Sequence, residues 1–260
     1  MAMFGRKGLG PARGGGVDRP PRRPVDPRKG QPGHQTVLRD LAAQERDDPL
    51  VRTRLAGGVV YDLFVRMLAD GGPRARVEDI VAALASVGGH LCLVGVFAEL
   101  RADGHEPHDI GLVDVVAADG FHYFFGDAPN RLLIESPTAL LSLVLGAAHK
   151  LGAMVSIEMV QEVMRRTASD LGGPQFGVPD LPEAQQPSRT PIELVAQFRD
   201  PTLAALDLYD VRPNAAAKAM GFALQRAINA GVAVLDPMMM ARIAIECAVP
   251  MAKVDPARFD

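Results

Sequence analysis

The segment that most constrains the fold comprises residues 80–97, which include no formally charged side chain. A stretch of this length either crosses a bilayer or forms a helix inside a protein core. Ser86, the Gly88-Gly89 pair and His90 lie near its middle, and acidic residues flank it on both sides. Basic residues show no excess at one end, so the pattern of a membrane span is missing. We therefore expect a buried helix at the centre of a folded protein.

Five pairs in which proline follows Asp, Ser or Thr predict where further helices begin. The side-chain oxygen of the first residue can accept a free N–H of the first turn, and proline has no N–H to lose there. The pairs are Asp48-Pro49, Ser136-Pro137, Thr190-Pro191, Asp200-Pro201 and Asp236-Pro237. Together with apolar residues at helical spacing, these pairs predict a mainly helical protein.

Two of the predicted helices include glycine pairs, and one of them also has a regular apolar stripe. Val51, Leu55, Val59, Leu63 and Met67 recur at a spacing of four residues and predict the buried face of a helix over residues 49–70. Gly57-Gly58 and Gly88-Gly89 lie inside helices, where each glycine costs about 1 kcal/mol relative to alanine. A close approach between helices would offset this cost, and a bound ligand or partner helix is the alternative.

Runs of β-forming residues on both sides of Asp119-Gly120 predict a hairpin. A two-residue turn at this position places Val116 and Tyr123 on the same face of the hairpin. Residues 131–135 (RLLIE) could add a third strand. We therefore expect a small antiparallel β-meander of two or three strands, inserted near the middle of the helical protein.

The first 35 residues differ from the rest of the chain in composition. They include eight Gly, six Pro and eight basic residues against two acidic ones, so their net charge is +6 and that of the remaining chain is −9. So few apolar side chains cannot offset the entropy lost on ordering. We therefore predict a disordered basic Gly/Pro/Arg-rich arm over residues 1–35.

The rest of the chain divides into three further regions. We predict a helical core over residues 36–171, which includes the meander at about 112–135, and an extended Pro/Gly-rich connection over 172–189. The last region, over residues 190–260, comprises C-terminal helices that pack on the core.

The densest group of potential metal ligands is His105, His108 and Asp109. Neutral imidazole nitrogens and carboxylate oxygens are standard ligands of divalent metals. His90 or His122 would complete such a site. A solvated turn, rich in polar residues, is the alternative explanation of the same pattern.

The residues His108-Asp109-Ile110-Gly111 resemble the core motif of the HD-domain phosphohydrolases. In that family a His-Asp pair binds a metal at the end of an apolar helix. The resemblance covers four residues, and Leu112 occupies the position where the family usually has lysine. The resemblance implies a metal-dependent hydrolase of the phosphoester class, and we keep this as the alternative function.

Other candidate chemistry is absent or is explained by packing. The chain has no phosphate-binding glycine loop, no H-E-x-x-H or G-x-S-x-G motif, and no C-x-x-C pair. Cys92 lies in the uncharged stretch and Cys247 on an apolar helical face, so we expect both to be unreactive core residues. Glu158 and Glu162 lack the Glu-x-x-His partner of carboxylate-bridged metal sites, and we expect them to face solvent.

We therefore expect an α+β protein, mainly α, with about seven helices packed as one globular body. The missing catalytic motifs favour a non-enzymatic cytoplasmic protein of the interaction, assembly or adaptor type, whose partner is another protein or a second copy. Met238, Met239 and Met240 and the edge of the meander are the predicted contact surfaces, because methionines adapt and strand edges pair. We expect no cofactor outside the hydrolase alternative, no membrane association, and no nucleic-acid binding beyond weak contacts of the arm.

Overall fold

The computed structural model describes residues 29–69 and 75–260. In chain order the α-helices are α1 (Pro32–Gln44), α2 (Val51–Ala69), α3 (Val77–Asp103), the single turn α4 (Asp127–Asn130), α5 (Leu140–Lys150), α6 (Ile157–Ser169), α7 (Pro191–Leu208), α8 (Pro213–Gly231) and α9 (Pro237–Met251). The strands β1 (Val113–Val116) and β2 (His122–Phe125) form an antiparallel hairpin between α3 and α4. The predicted mainly helical α+β class is confirmed.

The predicted N-terminal arm is described only from residue 29 onward, whereas the predicted connection over residues 172–189 is described in full. Residues 1–28 of the arm lie outside the described residues. The helix α1 begins at Pro32, so residues 32–35, which were predicted to belong to the arm, are helical. Between α6 and α7, residues 172–189 include one short 3-10 turn, and the side chains of Phe176 and Leu181 are buried. The connection therefore runs along the surface of the helical body.

Helix α3 forms the centre of the fold, because α8 and α9 pack along it and α7 covers a further side. Every residue from 81 to 93 is buried. By length and composition, two helical stretches of the described chain could span a membrane, Val77–Asp103 with a mean hydropathy of 2.1 and Asp127–Lys150 with 1.4. The fold itself buries 94% of the most apolar window of the first and 44% of that of the second. The predicted core helix is thus present.

Glycines allow α2 and α3 to approach their neighbours closely, as the two Gly-Gly pairs predict. A Cβ atom on Gly89 would lie 2.8 Å from the Cα of Ala248 in α9, and one on Gly57 would lie 2.9 Å from the Cβ of Phe222 in α8. Both distances are too short for a real side chain, so the helices can pack in this way only at glycine. The neighbours at both positions belong to this chain.

The buried face of α2 lies one residue away from the predicted stripe. Ala56, Val60 and Phe64 have no exposed surface, whereas Leu55 is 42% exposed. The predicted stripe, at positions 51, 55, 59, 63 and 67, is therefore wrong as the core face. The reason is the contact with α8, which approaches α2 at Gly57 and so turns the adjoining line of Ala56, Val60 and Phe64 towards the core.

Two of the five predicted helix starts are confirmed. The Thr190 hydroxyl accepts a hydrogen bond from the Glu193 N–H (3.4 Å), and the Glu193 carboxylate accepts one from the Thr190 N–H (2.8 Å). The Asp236 carboxylate accepts a hydrogen bond from the Met238 N–H (2.8 Å) at the start of α9. These contacts satisfy backbone donors that the first turn of a helix leaves free.

The other three pairs do not supply the first residues of a helix, although the Asp48 carboxylate accepts a hydrogen bond from the Leu50 N–H (3.1 Å) directly before α2. The helix α2 starts two residues after Asp48-Pro49, and α5 starts three residues after Ser136-Pro137. Asp200-Pro201 lies inside α7. Phe198 and Leu206, on either side of this proline, are both buried, so packing of the α7 face outweighs the local preference of proline to begin a helix.

The hairpin differs from the predicted one in its turn and in its register. Residues 117–121 separate the two strands, and the Ala117 N–H donates to the Phe121 carbonyl (3.1 Å). The loop closed by this pair therefore has three residues and ends at Gly120, whose φ of 79° lies in the left-handed region. Val115 pairs with Tyr123, and Val116 pairs with His122. The predicted face that joined Val116 to Tyr123 is therefore wrong, because a one-residue change in register moves each side chain to the opposite face.

The predicted third strand is also wrong. Residues Arg131–Glu135 form a π-helical turn that continues α4. The segment after α9 takes the place of a third strand beside β2. The Phe124 N–H donates to the Lys253 carbonyl (2.8 Å), and the Asp255 N–H donates to the His122 carbonyl (3.2 Å). The end of the chain therefore closes one edge of the hairpin.

Candidate functional site

The structure brings His105, His108 and Asp109 together on one exposed turn. His105 Nδ1 lies 3.9 Å from Asp109 Oδ2, and His108 Nε2 lies 3.3 Å from Asp109 Oδ1. The Asp109 carboxylate also accepts a hydrogen bond from the Glu106 N–H (2.8 Å), so one of its oxygens stabilises the turn. Within residues 29–69 and 75–260, no three His, Cys, Asp or Glu side chains are arranged to hold a metal ion.

The two histidines proposed to complete a metal site have other surroundings. His90 is fully buried in α3, with its ring 4.9 Å from the ring of Phe259 in an edge-to-face arrangement. His122 lies on the exposed side of β2, and its Nδ1 is 2.9 Å from both carboxylate oxygens of Asp114. His122 thus forms a pair with Asp114 across the hairpin.

The predicted methionine surface is only partly accessible. Met240 has no exposed surface, and its sulfur would lie 2.9 Å from a Cβ atom on Gly231. Met240 is therefore a core residue, and its prediction as a contact residue is wrong. Met238 and Met239 are partly buried at the start of α9. The reason is the helical turn, which directs the third methionine of the run toward α8.

The hairpin provides the second predicted contact surface, the edge of the meander, and its two edges differ. The Ala117 N–H donates to the Phe121 carbonyl (3.1 Å) next to the loop. Bonded and non-bonded pairs alternate along an antiparallel ladder. The backbone groups of Asp114 and Val116 therefore point away from β2. Among the described residues they have no backbone hydrogen-bond partner.

The side chains of this free edge are also accessible. Val113 is 58% exposed and Val116 is 62% exposed. In β2, by contrast, Tyr123 and Phe124 are buried, and the segment after α9 occupies the outer edge. We call the outward side of β1, with the backbone of Asp114 and Val116 and the side chains of Val113 and Val116, the β1 edge.

The hairpin that carries the β1 edge is held firmly to the rest of the protein. The Tyr123 hydroxyl donates to the Asp119 carboxylate (2.6 Å), and Arg258 donates to the Tyr123 oxygen (3.2 Å). The Arg258 guanidinium also lies over the Phe121 ring at 3.8 Å from its centroid. These contacts join the loop of the hairpin to the segment after α9, so the hairpin that carries the β1 edge is anchored to the rest of the fold.

Several buried charged groups were not predicted from the sequence. Arg199 donates to the Phe259 carbonyl (2.5 Å) and to the Asp260 carboxylate, and Glu246 accepts from the Arg166 guanidinium. Burial raises the pKa of the Glu246 carboxyl. A single acidic residue within the apolar run of α9 is the sequence signal that could have identified Glu246 as a buried ion-pair partner.

Lys253 is the third such group and lies directly under the hairpin. It is 5% exposed, and its Nζ donates to the Asn130 side-chain oxygen (2.8 Å). Burial lowers the pKa of the Lys253 ammonium from 10.5 to about 8. Its Nζ also lies 5.5 Å from the centroid of the Phe125 ring. These contacts join α4, β2 and the segment after α9.

Both cysteines have the surroundings expected of unreactive core residues. Cys92 and Cys247 have no exposed surface and form no disulfide. Burial raises the pKa of the Cys92 thiol to about 12 and that of the Cys247 thiol still further. A thiol with such a raised pKa supplies almost no thiolate near neutral pH.

Residues 29–69 and 75–260 form a mainly helical α+β fold in which one edge of the hairpin is open. Comparison of the chain with protein-family models, with curated proteins and with solved structures found no match.

Proposed function

We propose that this protein is a non-enzymatic interaction protein that binds an extended segment of a partner protein along the β1 edge. One observation carries the proposal: the backbone groups of Asp114 and Val116 point outward without a backbone partner among the described residues. An extended peptide can add a strand to such an edge, where main-chain hydrogen bonds provide affinity and alternate side chains provide specificity.

The surroundings of the β1 edge support the same function. The opposite edge of the hairpin is closed by residues of the same chain, so within the described part of the chain the β1 edge is the one available for strand addition. Val113 and Val116 provide apolar contact area on the two faces of β1. Free strand edges are usually blunted or covered, because they pair with other chains. The β1 edge has a single charged side chain, Asp114, which is held by His122 at 2.9 Å.

Photo-crosslinking and amide exchange test this function. A benzoylphenylalanine at Val116 should capture one defined partner in cells, whereas the same group at Val234, which is 78% exposed, should not. Val116→Pro removes an outward N–H without removing a ladder bond, so crosslinking from Val113 should be lost. Val116→Thr keeps the N–H and serves as the matched control. Binding of the purified partner should protect the Asp114 and Val116 amides from hydrogen exchange.

Two outcomes would contradict the proposal. Equal capture by the Val116→Pro and Val116→Thr proteins would exclude strand addition at this edge. Near-stoichiometric zinc, manganese or iron in the purified protein, lost in His108→Ala, would favour the phosphoester hydrolase instead.

We propose no cofactor, and we propose a cytoplasmic location for the interaction.

A further inference from the structure

A cleft of about 370 Å³ lies between the end of α3, the turn over residues 105–110 and the segment over residues 127–135. Val96 and Leu100 form its apolar floor, and both are buried. The charged residues that line it are Glu99, Asp103, Asp127, Glu135, His105 and Arg131. Four carboxylates therefore surround the floor, with one guanidinium between them. We call this region the acidic cleft.

The charges in the acidic cleft are only partly compensated. Arg131 lies 3.7 Å from Glu99, and Glu99 also accepts a hydrogen bond from the side chain of Asn214 (2.9 Å). Asp103 and Asp127 are exposed and form no ion pair with any described residue. A cationic group with an apolar stem would satisfy both the carboxylates and the floor. Arginine fits this description, because its planar guanidinium binds carboxylates through two hydrogen bonds.

We propose that the acidic cleft binds residues 19–23 of the same chain, Arg19-Pro20-Pro21-Arg22-Arg23. These five residues include three arginines and no acidic residue, which complements the charge of the cleft. The two prolines restrict the backbone, so less conformational entropy is lost on binding. This proposal is independent of the β1 edge.

The described chain begins close enough to the acidic cleft for this contact. Lys29 Nζ lies 2.6 Å from Asp207 Oδ2, which fixes the start of the described chain near the end of α7. Asn214 follows Asp207 after seven residues, which span at most roughly 25 Å, and it contacts Glu99 at the cleft. The ten residues from 19 to 29 can span roughly 35 Å. Arg22 and Arg23, seven and six residues before Lys29, can span roughly 25 and 20 Å in addition to the length of their side chains. These spans are comparable with the longest possible distance between Asp207 and Asn214, so the arginines can extend to the side of the molecule on which the cleft lies.

Photo-crosslinking of the full-length chain tests this assignment. A benzoylphenylalanine at Pro21 should form crosslinks to residues 99–110 and 127–135, as mapped by mass spectrometry. Asp103→Asn with Asp127→Asn should lower the crosslink yield about fivefold, since exposed ion pairs each contribute modestly. Glu158→Gln with Glu162→Gln removes the same charge from α6 and should leave the yield unchanged. Raising the salt concentration should also lower the yield.

Changes in the arm itself test the proposal without altering the helical body. Arg22→Ser with Arg23→Ser should lower the yield by a similar factor, and Arg6→Ser with Lys7→Ser should not. Crosslinks spread over other surfaces, or an unchanged yield in the Asp103→Asn/Asp127→Asn protein, would overturn the proposal. A crosslink between molecules, detected by mixing labelled and unlabelled protein, would overturn the assignment to the same chain.

Discussion

Replacement of His90 by leucine is expected to make the protein more resistant to acid. His90 is fully buried in α3, and neither ring nitrogen has a hydrogen-bond partner among the described residues. Burial, together with the nearby positive charge of Arg199, lowers the pKa of His90 from 6.5 to about 3. The folded protein therefore keeps this side chain neutral at pH values where the unfolded chain binds a proton.

The size of the effect follows from this difference in pKa. Between pH 6.5 and about 3, the unfolded chain holds one more proton at His90, so the free energy of unfolding falls as the pH falls. Each pH unit in this range corresponds to about 1.4 kcal/mol. At pH 5 the free energy of unfolding should therefore be about 2 kcal/mol lower than at pH 7.5. Leucine has no titratable group, so His90→Leu should remove this contribution.

Urea unfolding at pH 7.5 and pH 5, followed by circular dichroism, measures the expected difference. From pH 7.5 to pH 5, the free energy of unfolding of the wild-type protein should fall by about 2 kcal/mol more than that of the His90→Leu protein. His149→Leu changes an exposed histidine at the end of α5 and should behave as the wild type does. If His90→Leu and the wild type lose the same free energy between the two pH values, the assignment of a buried neutral imidazole is refuted.

The same assay tests two other features of the core. Gly89→Ala should cost about 2–3 kcal/mol, because its Cβ would collide with Ala248, whereas Gly146→Ala in α5 meets open space and should gain about 0.5–1 kcal/mol. Similar effects of the two changes would contradict the close approach of α3 and α9. Arg166→Met should cost about 3 kcal/mol at pH 7.5 by leaving the Glu246 carboxylate unpaired. Burial raises the pKa of the Glu246 carboxyl, so the loss should become smaller as the pH falls and this group takes up a proton, and a pH-independent loss would refute the ion pair.

The helical class and the central helix could be predicted because they depend on composition and periodicity. The run over residues 80–97 has no charge to place in water, and α3 is buried as a result. The core face of α2 could not be predicted in this way. Ala56, Val60 and Phe64 are apolar at the same spacing of four residues as the predicted stripe, and the contact with α8 at Gly57 decides between the two faces. The buried face of α2 therefore becomes evident only when the position of α8 is known.

The candidate site was harder to predict because it depends on contacts distant in sequence. Asp-Gly is compatible with both a two-residue and a three-residue hairpin loop; a two-residue type I′ loop would need a positive φ at Asp119 as well as at Gly120, and only Gly120 has one. The edge of β2 is closed by the segment after α9, more than a hundred residues later, and no local pattern indicates this pairing. The exposed turn at His105, His108 and Asp109 could be located from its polar residues alone.

The burial of α3 by α8 and α9 has a consequence for the synthesis of the chain on the ribosome. The helix is complete at Asp103, but α9 begins only at Pro237. At roughly 5–20 residues per second, the intervening residues take about 7–27 s to translate. During this interval the long apolar helix α3 has been made without the helix that covers one of its sides. A nascent chain of this kind exposes a surface that chaperones and other apolar surfaces can bind.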